Sequence, residues 1–160
     1  MSDIHIIRQY PHRMTKVWRA VTDPDLVPRW TSTGRGGRPE GFSTEVGTHF
    51  RFVGKPMQGW RGIVECEVLE VDEPSLLRYS WVGDENGKAT FVTYLLEPYQ
   101  GGTRFTYEHT GFTGIEGFFM AKLVLGPVRR KMLEVGLPLV LNDMDGNSAP
   151  GTESSPNPNS

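Results

Sequence analysis

The chain reads as an α+β domain: a strand and two short helices, then an antiparallel run of strands, then a long C-terminal helix. Three observations predict it. From Thr48 to His109 apolar residues recur with a period of two, in stretches separated by proline and glycine turn signals. From Phe118 to Leu139 the spacing changes to alternating threes and fours, the mark of an amphipathic helix. Ahead of both, Asp3 to Tyr10 (DIHIIRQY) is rich in isoleucine and is followed by apolar positions at helical spacing.

Taken in order, Pro11 ends the first strand and introduces HRMTKVWRAVTD, where Met14, Val17, Trp18 and Val21 share one helical face. Asp23-Pro24 reads as an N-cap with proline at the first helical position, opening a second short helix that ends near Trp30. Thr31 to Gly47 carries glycine and arginine without periodicity. It reads as a long loop, and structureless loops beyond about 12 residues are uncommon and often serve as lids or binding loops.

The strands follow. Thr48 to Val53 puts Phe50 and Phe52 on one face, and Trp60 to Val71 sets Trp60, Val64, Cys66 and Val68 against Glu65 and Glu67 until Glu73-Pro74 ends it. Leu76 to Val82 alternates Leu77, Tyr79 and Trp81 with Arg78 and Ser80. Gly83 to Gly87 is a hairpin connection with Asn86-Gly87 as its turn signal. Phe91 to Glu97 turns through Gln100-Gly101-Gly102 into Thr103 to His109, whose Phe105, Tyr107 and His109 alternate with Arg104, Thr106 and Glu108. Strands so closely connected form an antiparallel meander. In the last part Phe118, Ala121, Leu125, Val128, Met132, Val135 and Leu139 make the helical stripe. Gly126-Pro127 and Pro138 are expected to interrupt it, leaving a short helix, a break and a main helix from near Pro127. Residues 1–145 make one domain, and 146–160 (GNSAPGTESSPNPNS) are expected to form a disordered tail.

Composition narrows the function. Seventeen basic residues stand against 19 acidic ones, which argues against a nucleic-acid partner. No apolar run reaches the roughly 18 residues of a membrane span, and no signal peptide opens the chain. A single cysteine excludes an internal disulfide and fits the cytoplasm. No ligand spacing links His5, His12, His49 and His109, so no metal or other cofactor is expected. Cys66 has no histidine partner in pattern and reads as a small core residue.

By strand alternation the interior-facing set includes Phe50, Phe52, Trp60, Val64, Leu77, Tyr79, Trp81, Val92, Tyr94, Leu96, Phe105, Tyr107 and His109, closed by Leu125, Val128, Met132 and Val135. One reading is a filled core. The other is a ligand pocket, because phenol and imidazole tips on an apolar face need partners in the protein or in a bound molecule. The candidate ligand-binding residues are Trp60, Tyr79, Trp81, Tyr94, Phe105, Tyr107, His109 and Met132. His109 would donate to a ligand, act as an acid or base, or tie the strand end to a backbone carbonyl. Arg35 and Arg38 would gate an anionic ligand at the pocket mouth.

Three stretches, TKVWRAVTDPDLVPRW (15–30), GIVECEVLEVDEPSLLRYSW (62–81) and LEPYQGGTRFTYEHTGF (96–112), together resemble the homologues of the heat-shock protein 90 ATPase activator. That family lies in the START and birch-pollen-allergen-like superfamily, also called SRPBCC. The resemblance implies the helix-grip fold, a curved antiparallel sheet wrapped around the C-terminal helix with an internal cavity between them. It implies a binder of a small hydrophobic or aromatic ligand, in the manner of superfamily members that hold lipids or polyketides. The alternatives it brings are a co-chaperone-like partner of a heat-shock chaperone, with a role in stress response, and a cyclase or hydrolase using His109 and a cavity tyrosine. A binding module is the first expectation, ahead of an enzyme.

Overall fold

The computed structural model describes residues 3–31, 38–54, 62–83, 88–113 and 125–147. Strand β1 (Ile4–Tyr10) leads into helix α1 (Met14–Thr22) and the single turn α2 (Val27–Trp30). Strands β2 (Arg38–Glu40), β3 (His49–Val53), β4 (Ile63–Asp72), β5 (Leu76–Val82), β6 (Thr90–Tyr99) and β7 (Gly102–Thr110) follow. The C-terminal helix runs without a break through α3 (Gly126–Lys131), a π-helical turn (Met132–Gly136) and α4 (Leu137–Asn147). The strands form one seven-stranded sheet in the order β1-β7-β6-β5-β4-β3-β2, antiparallel throughout.

The meander is the one that the period-two pattern predicts, and β5 has the predicted limits at both ends. The β6–β7 hairpin turns on Gln100 and Gly101, both at positive φ. Gly102 then lies so close to β1 that a Cβ there would fall 2.2 Å from the Tyr10 carbonyl oxygen. Helix α1 buries Val17, Trp18, Ala20 and Val21 against the sheet, as its spacing predicts.

Four expectations change. Asp23 opens a turn, its Oδ1 accepting from the Asp25 amide at 2.8 Å, but regular helix begins only at Val27. The stretch from Thr31 to Gly47 contains strand β2, which takes Pro39 into the interior and pairs with β3. Three residues are too few to show a period, so pairing alone makes this a strand. Pro138 does not interrupt the helix. The π turn just before it closes with the Leu137 amide on the Met132 carbonyl. Such wider turns relieve the crowding that a proline ring imposes on the preceding turn. Finally, the predicted stripe is out of phase: Val128, Val135 and Leu139 are exposed, and Met132, Leu133, Gly136, Leu137, Val140 and Leu141 face inward. That inward set repeats every four residues, which outruns an α-helix of 3.6 residues per turn, and the π turn absorbs the excess. Phe118, Ala121, the hairpin tip at 84–87 and residues 148–160 of the expected tail lie outside the described residues.

The core sits between the concave face of the sheet and one side of the three helical segments. Trp30 is fully buried, and its indole N–H donates to the Ala20 carbonyl at 2.9 Å. Its backbone presses on Gly136, where a Cβ would lie 2.4 Å from the Trp30 carbonyl oxygen. The Tyr10 hydroxyl, donating to the Leu133 carbonyl at 2.7 Å, ties β1 to the helix.

Candidate functional site

Strands β5, β6 and β7 lie side by side at the centre of the sheet, in a register that pairs Leu77 with Tyr94, Tyr94 with Tyr107, and Val92 with His109. Because side chains alternate, this register stacks every predicted candidate from these strands on the concave face. Tyr79, Tyr94, Phe105, Tyr107 and His109 are buried there, and Trp81 is partly buried. Met132 joins them from the helix. Trp60 lies outside the described residues.

The phenols form a line. The Tyr79 and Tyr94 hydroxyls are hydrogen-bonded at 3.1 Å with their rings edge to face, and the Tyr94 ring lies 5.8 Å from that of Tyr107. Phe105 packs against Tyr94 and Tyr10. The line ends on Arg129, whose Nε–H donates to the Tyr107 hydroxyl at 2.7 Å. Burial pushes all three phenols up, most plainly Tyr79 and Tyr94, with Arg129 partly opposing the rise at Tyr107. They are neutral hydroxyls near neutral pH. Burial works against the Arg129 charge as well, but its tyrosine neighbours, Tyr107 first, hold it above its usual range.

His109 packs against Trp81, ring to ring at 5.2 Å, and against Phe112 at 4.6 Å. Its Nε2 lies 2.7 Å from the Thr90 hydroxyl, which also reaches the Trp81 carbonyl at 3.1 Å. For both contacts to be hydrogen bonds, the single Thr90 proton goes to the carbonyl and Nε2, carrying the histidine proton, donates to Thr90 Oγ1. That leaves Nδ1 as a bare acceptor, without a partner among the described residues. The imidazole is fully buried. Burial, with help from Arg129, holds it down to about 3. His109 therefore anchors to a side-chain hydroxyl rather than to the backbone carbonyl expected of a strand-end tie.

Two residues of this arrangement escaped the sequence reading. Thr90 precedes the predicted start of β6 by one residue. Arg129 reads as part of the polar side of the helix, next to Val128. A signal did exist, since Arg129 stands three and four residues before Met132 and Leu133 and so shares their face. Cys66 is a buried free thiol, pushed up by burial. Arg38 is exposed and pairs with Asp25 on the surface, and Arg35 lies outside the described residues. No three His, Cys, Asp or Glu side chains among the described residues converge into a metal-binding group.

Little free volume lies beside the first two helices. Between α1, α2, β2 and the sheet, beside Val21, Val27, Pro39, Phe50, Leu77 and Tyr79, the space is about 10 Å³, enough for about one water. That end is full. At the other end Trp81, Phe112 and Arg129 are only partly buried. An open cleft of about 490 Å³ lies on the outside, where Thr15, Arg19 and Thr22 of α1 face Ser43, Thr44 and Glu73.

Fold and site together define an α+β helix-grip domain of the SRPBCC type, with a polar-tipped aromatic face under its C-terminal helix. The chain belongs to the family described as activator of Hsp90 ATPase homolog 1-like protein, whose model matches residues 11–121. Among solved structures it is similar to protein MLL2253 from Mesorhizobium loti, with 27% identity over 89% of this chain and 98% of that one and a TM-score of 0.68. A protein from Rhodobacter sphaeroides shares 21% identity over 89% of this chain and 93% of that one, at a TM-score of 0.72. DynU16, a protein in the dynemicin biosynthetic locus, shares 20% identity at a TM-score of 0.65; the match takes in 97% of this chain and 51% of that one. No curated protein matches the chain. Among the described residues no helix is long and apolar enough to cross a membrane.

Proposed function

We propose that this protein binds a small hydrophobic or aromatic molecule between the concave face of the sheet and the C-terminal helix, entering at the Trp81 end, as a cytoplasmic carrier or sensor. The observation that carries the reading is the bare Nδ1 of His109, a fully buried acceptor without a donor among the described residues. Buried polar atoms are nearly always satisfied, and an exception calls for a partner. A hydroxyl or amide N–H on a bound molecule would supply it, with Trp81 and Phe112 as apolar walls. Little space remains beside Val27 and Leu77, which supports the Trp81 end, with its partly buried walls, as the place for such a molecule.

Binding is favoured over turnover. A general base works best with an affinity for protons near the operating pH, and His109 is held far below it while the phenols are held above. Native mass spectrometry of protein purified gently from its own host tests the reading. A discrete added mass, released on unfolding, is the expected result. No added mass, together with no saturable uptake of a neutral apolar dye, overturns it. Family membership also supports a chaperone contact; a pull-down at micromolar concentration decides that second reading, and absence of binding discards it.

A further inference from the structure

The binding reading leaves Arg129 without a role. Other arginines among the described residues meet carboxylates near the surface: Arg8 pairs with Glu134, Arg29 with Asp143, Arg51 with Glu40 and Arg78 with Glu70. Arg129 meets none of the described carboxylates, although it is the arginine turned towards the aromatic face. Its contacts are the Tyr107 hydroxyl, the Met132 sulfur 3.8 Å from Nη1, and the face of Trp81, 5.8 Å from the guanidinium carbon to the ring centroid.

A guanidinium carries five N–H donors in a rigid fork. Nε–H is committed to Tyr107, and a thioether at 3.8 Å is a weak acceptor, so the Nη donors keep most of their capacity. The phenol accepts a hydrogen bond but stays neutral, and among the described residues no negative charge balances the cation. A part-buried cation without an anion is costly to keep, and pairing it gains more than pairing a surface arginine. The fork matches the two oxygens of a carboxylate. We infer that the bound molecule carries an acidic head group, a carboxylate or an oxyanion of like geometry, seated on the Arg129 fork with its aromatic body against Trp81. This rests on the binding reading above. It also divides the labour beside the same Trp81 ring: Arg129 takes the acid, and His109 Nδ1 accepts from a hydroxyl.

The test uses the full chain and a neutral fluorescent reporter, N-phenyl-1-naphthylamine, displaced by 2-naphthoate or by its methyl ester. The two competitors share a ring system and differ in charge. On the wild-type protein the acid should displace the reporter at about tenfold lower concentration than the ester, as expected for a charge-assisted pair. In Arg129→Met that preference, read against the variant's own reporter affinity, should vanish, and Arg129→Lys, which keeps the charge and loses the fork, should fall between. A reporter that binds saturably, with acid and ester equal on the wild type, overturns the acidic head and leaves the binding reading standing. A reporter that does not bind at all removes the binding reading, and the acidic head with it. The wild-type comparison decides the matter even if Arg129→Met fails to fold.

Discussion

The two ends of the interior share strands β5 to β7 and yet are completed on different terms. At the α2 end, Trp30, Val17, Leu133, Leu137 and Leu141 are fully buried. The polar atom of Trp30 is satisfied by Ala20, and its backbone rests on Gly136 with no room for a methyl group. At the Trp81 end the walls are only partly buried, and among the described residues an imidazole nitrogen lacks a partner and a guanidinium lacks an anion. Closed apolar packing is what a stable fold requires. Unmet polar capacity adds nothing to stability, and the proposed binding rests on it.

Changes at the closed end should therefore cost stability, and changes at the open end should alter binding or pH response. The largest effect is expected for Trp30→Ala, about 3–5 kcal/mol lost in denaturant unfolding, because a fully buried indole leaves a cavity. Trp81→Ala should cost less than half of that. Equal losses at the two tryptophans would erase the distinction between the ends.

The second effect is in pH. An unfolded histidine titrates near 6.5, and His109 is held down to about 3 by burial and then by Arg129. Between those values the unfolded chain binds the proton and the folded chain does not. Stability is thus full above about pH 6.5 and falls as the pH drops, by about 1.4 kcal/mol per unit within the window. His12, also held low by burial and Lys16, contributes in the same direction. In His109→Gln the slope between pH 6 and 5 should be shallower by up to about 1.4 kcal/mol per unit. Parallel curves for the two proteins would mean that His109 is not held neutral by its surroundings.

Gly136→Ala comes third. The new Cβ meets backbone rather than a flexible side chain, and overpacking of this kind costs about 1–3 kcal/mol. Calorimetry should show the melting temperature falling, with no change in acid-over-ester preference. The smallest effect is expected for Tyr79→Phe, which removes one hydroxyl from the Tyr79–Tyr94 pair and should cost about 1 kcal/mol. Adding Tyr94→Phe should then cost less than it does alone, since the partner hydroxyl is already unpaired; strict additivity would show that the two hydroxyls are not coupled.

Legibility in the sequence follows the range of the interactions involved. Leu77, Tyr79 and Trp81 declare their shared face at once, because alternation is a property of the extended backbone and needs no partner. Phe105, Tyr107 and His109 do the same, so seven of the eight candidate residues can be placed on the described interior surface from strand period and helix spacing. Arg129 was missed, although its spacing to Met132 and Leu133 carries a signal. A charged residue beside Val128 looks solvent-facing until the phase of the helix is known, and that phase depends on a π turn set by Gly136 against Trp30 and by Pro138. Strand β2 was hidden for a related reason: Pro39 is drawn inward by pairing with Phe52 on β3, not by any pattern of its own.

By itself, then, the amino-acid sequence determined the class of fold, the meander of strands, and which faces of β5, β6 and β7 turn inward, since these follow from local geometry and apolar periodicity. Tertiary structure alone decided which side of the C-terminal helix is buried, how completely the α2 end is filled, and that a cation and a bare imidazole nitrogen come to flank Trp81. Those outcomes depend on packing between segments far apart in the chain, where volume and the pairing of polar atoms, rather than spacing along the chain, set the result.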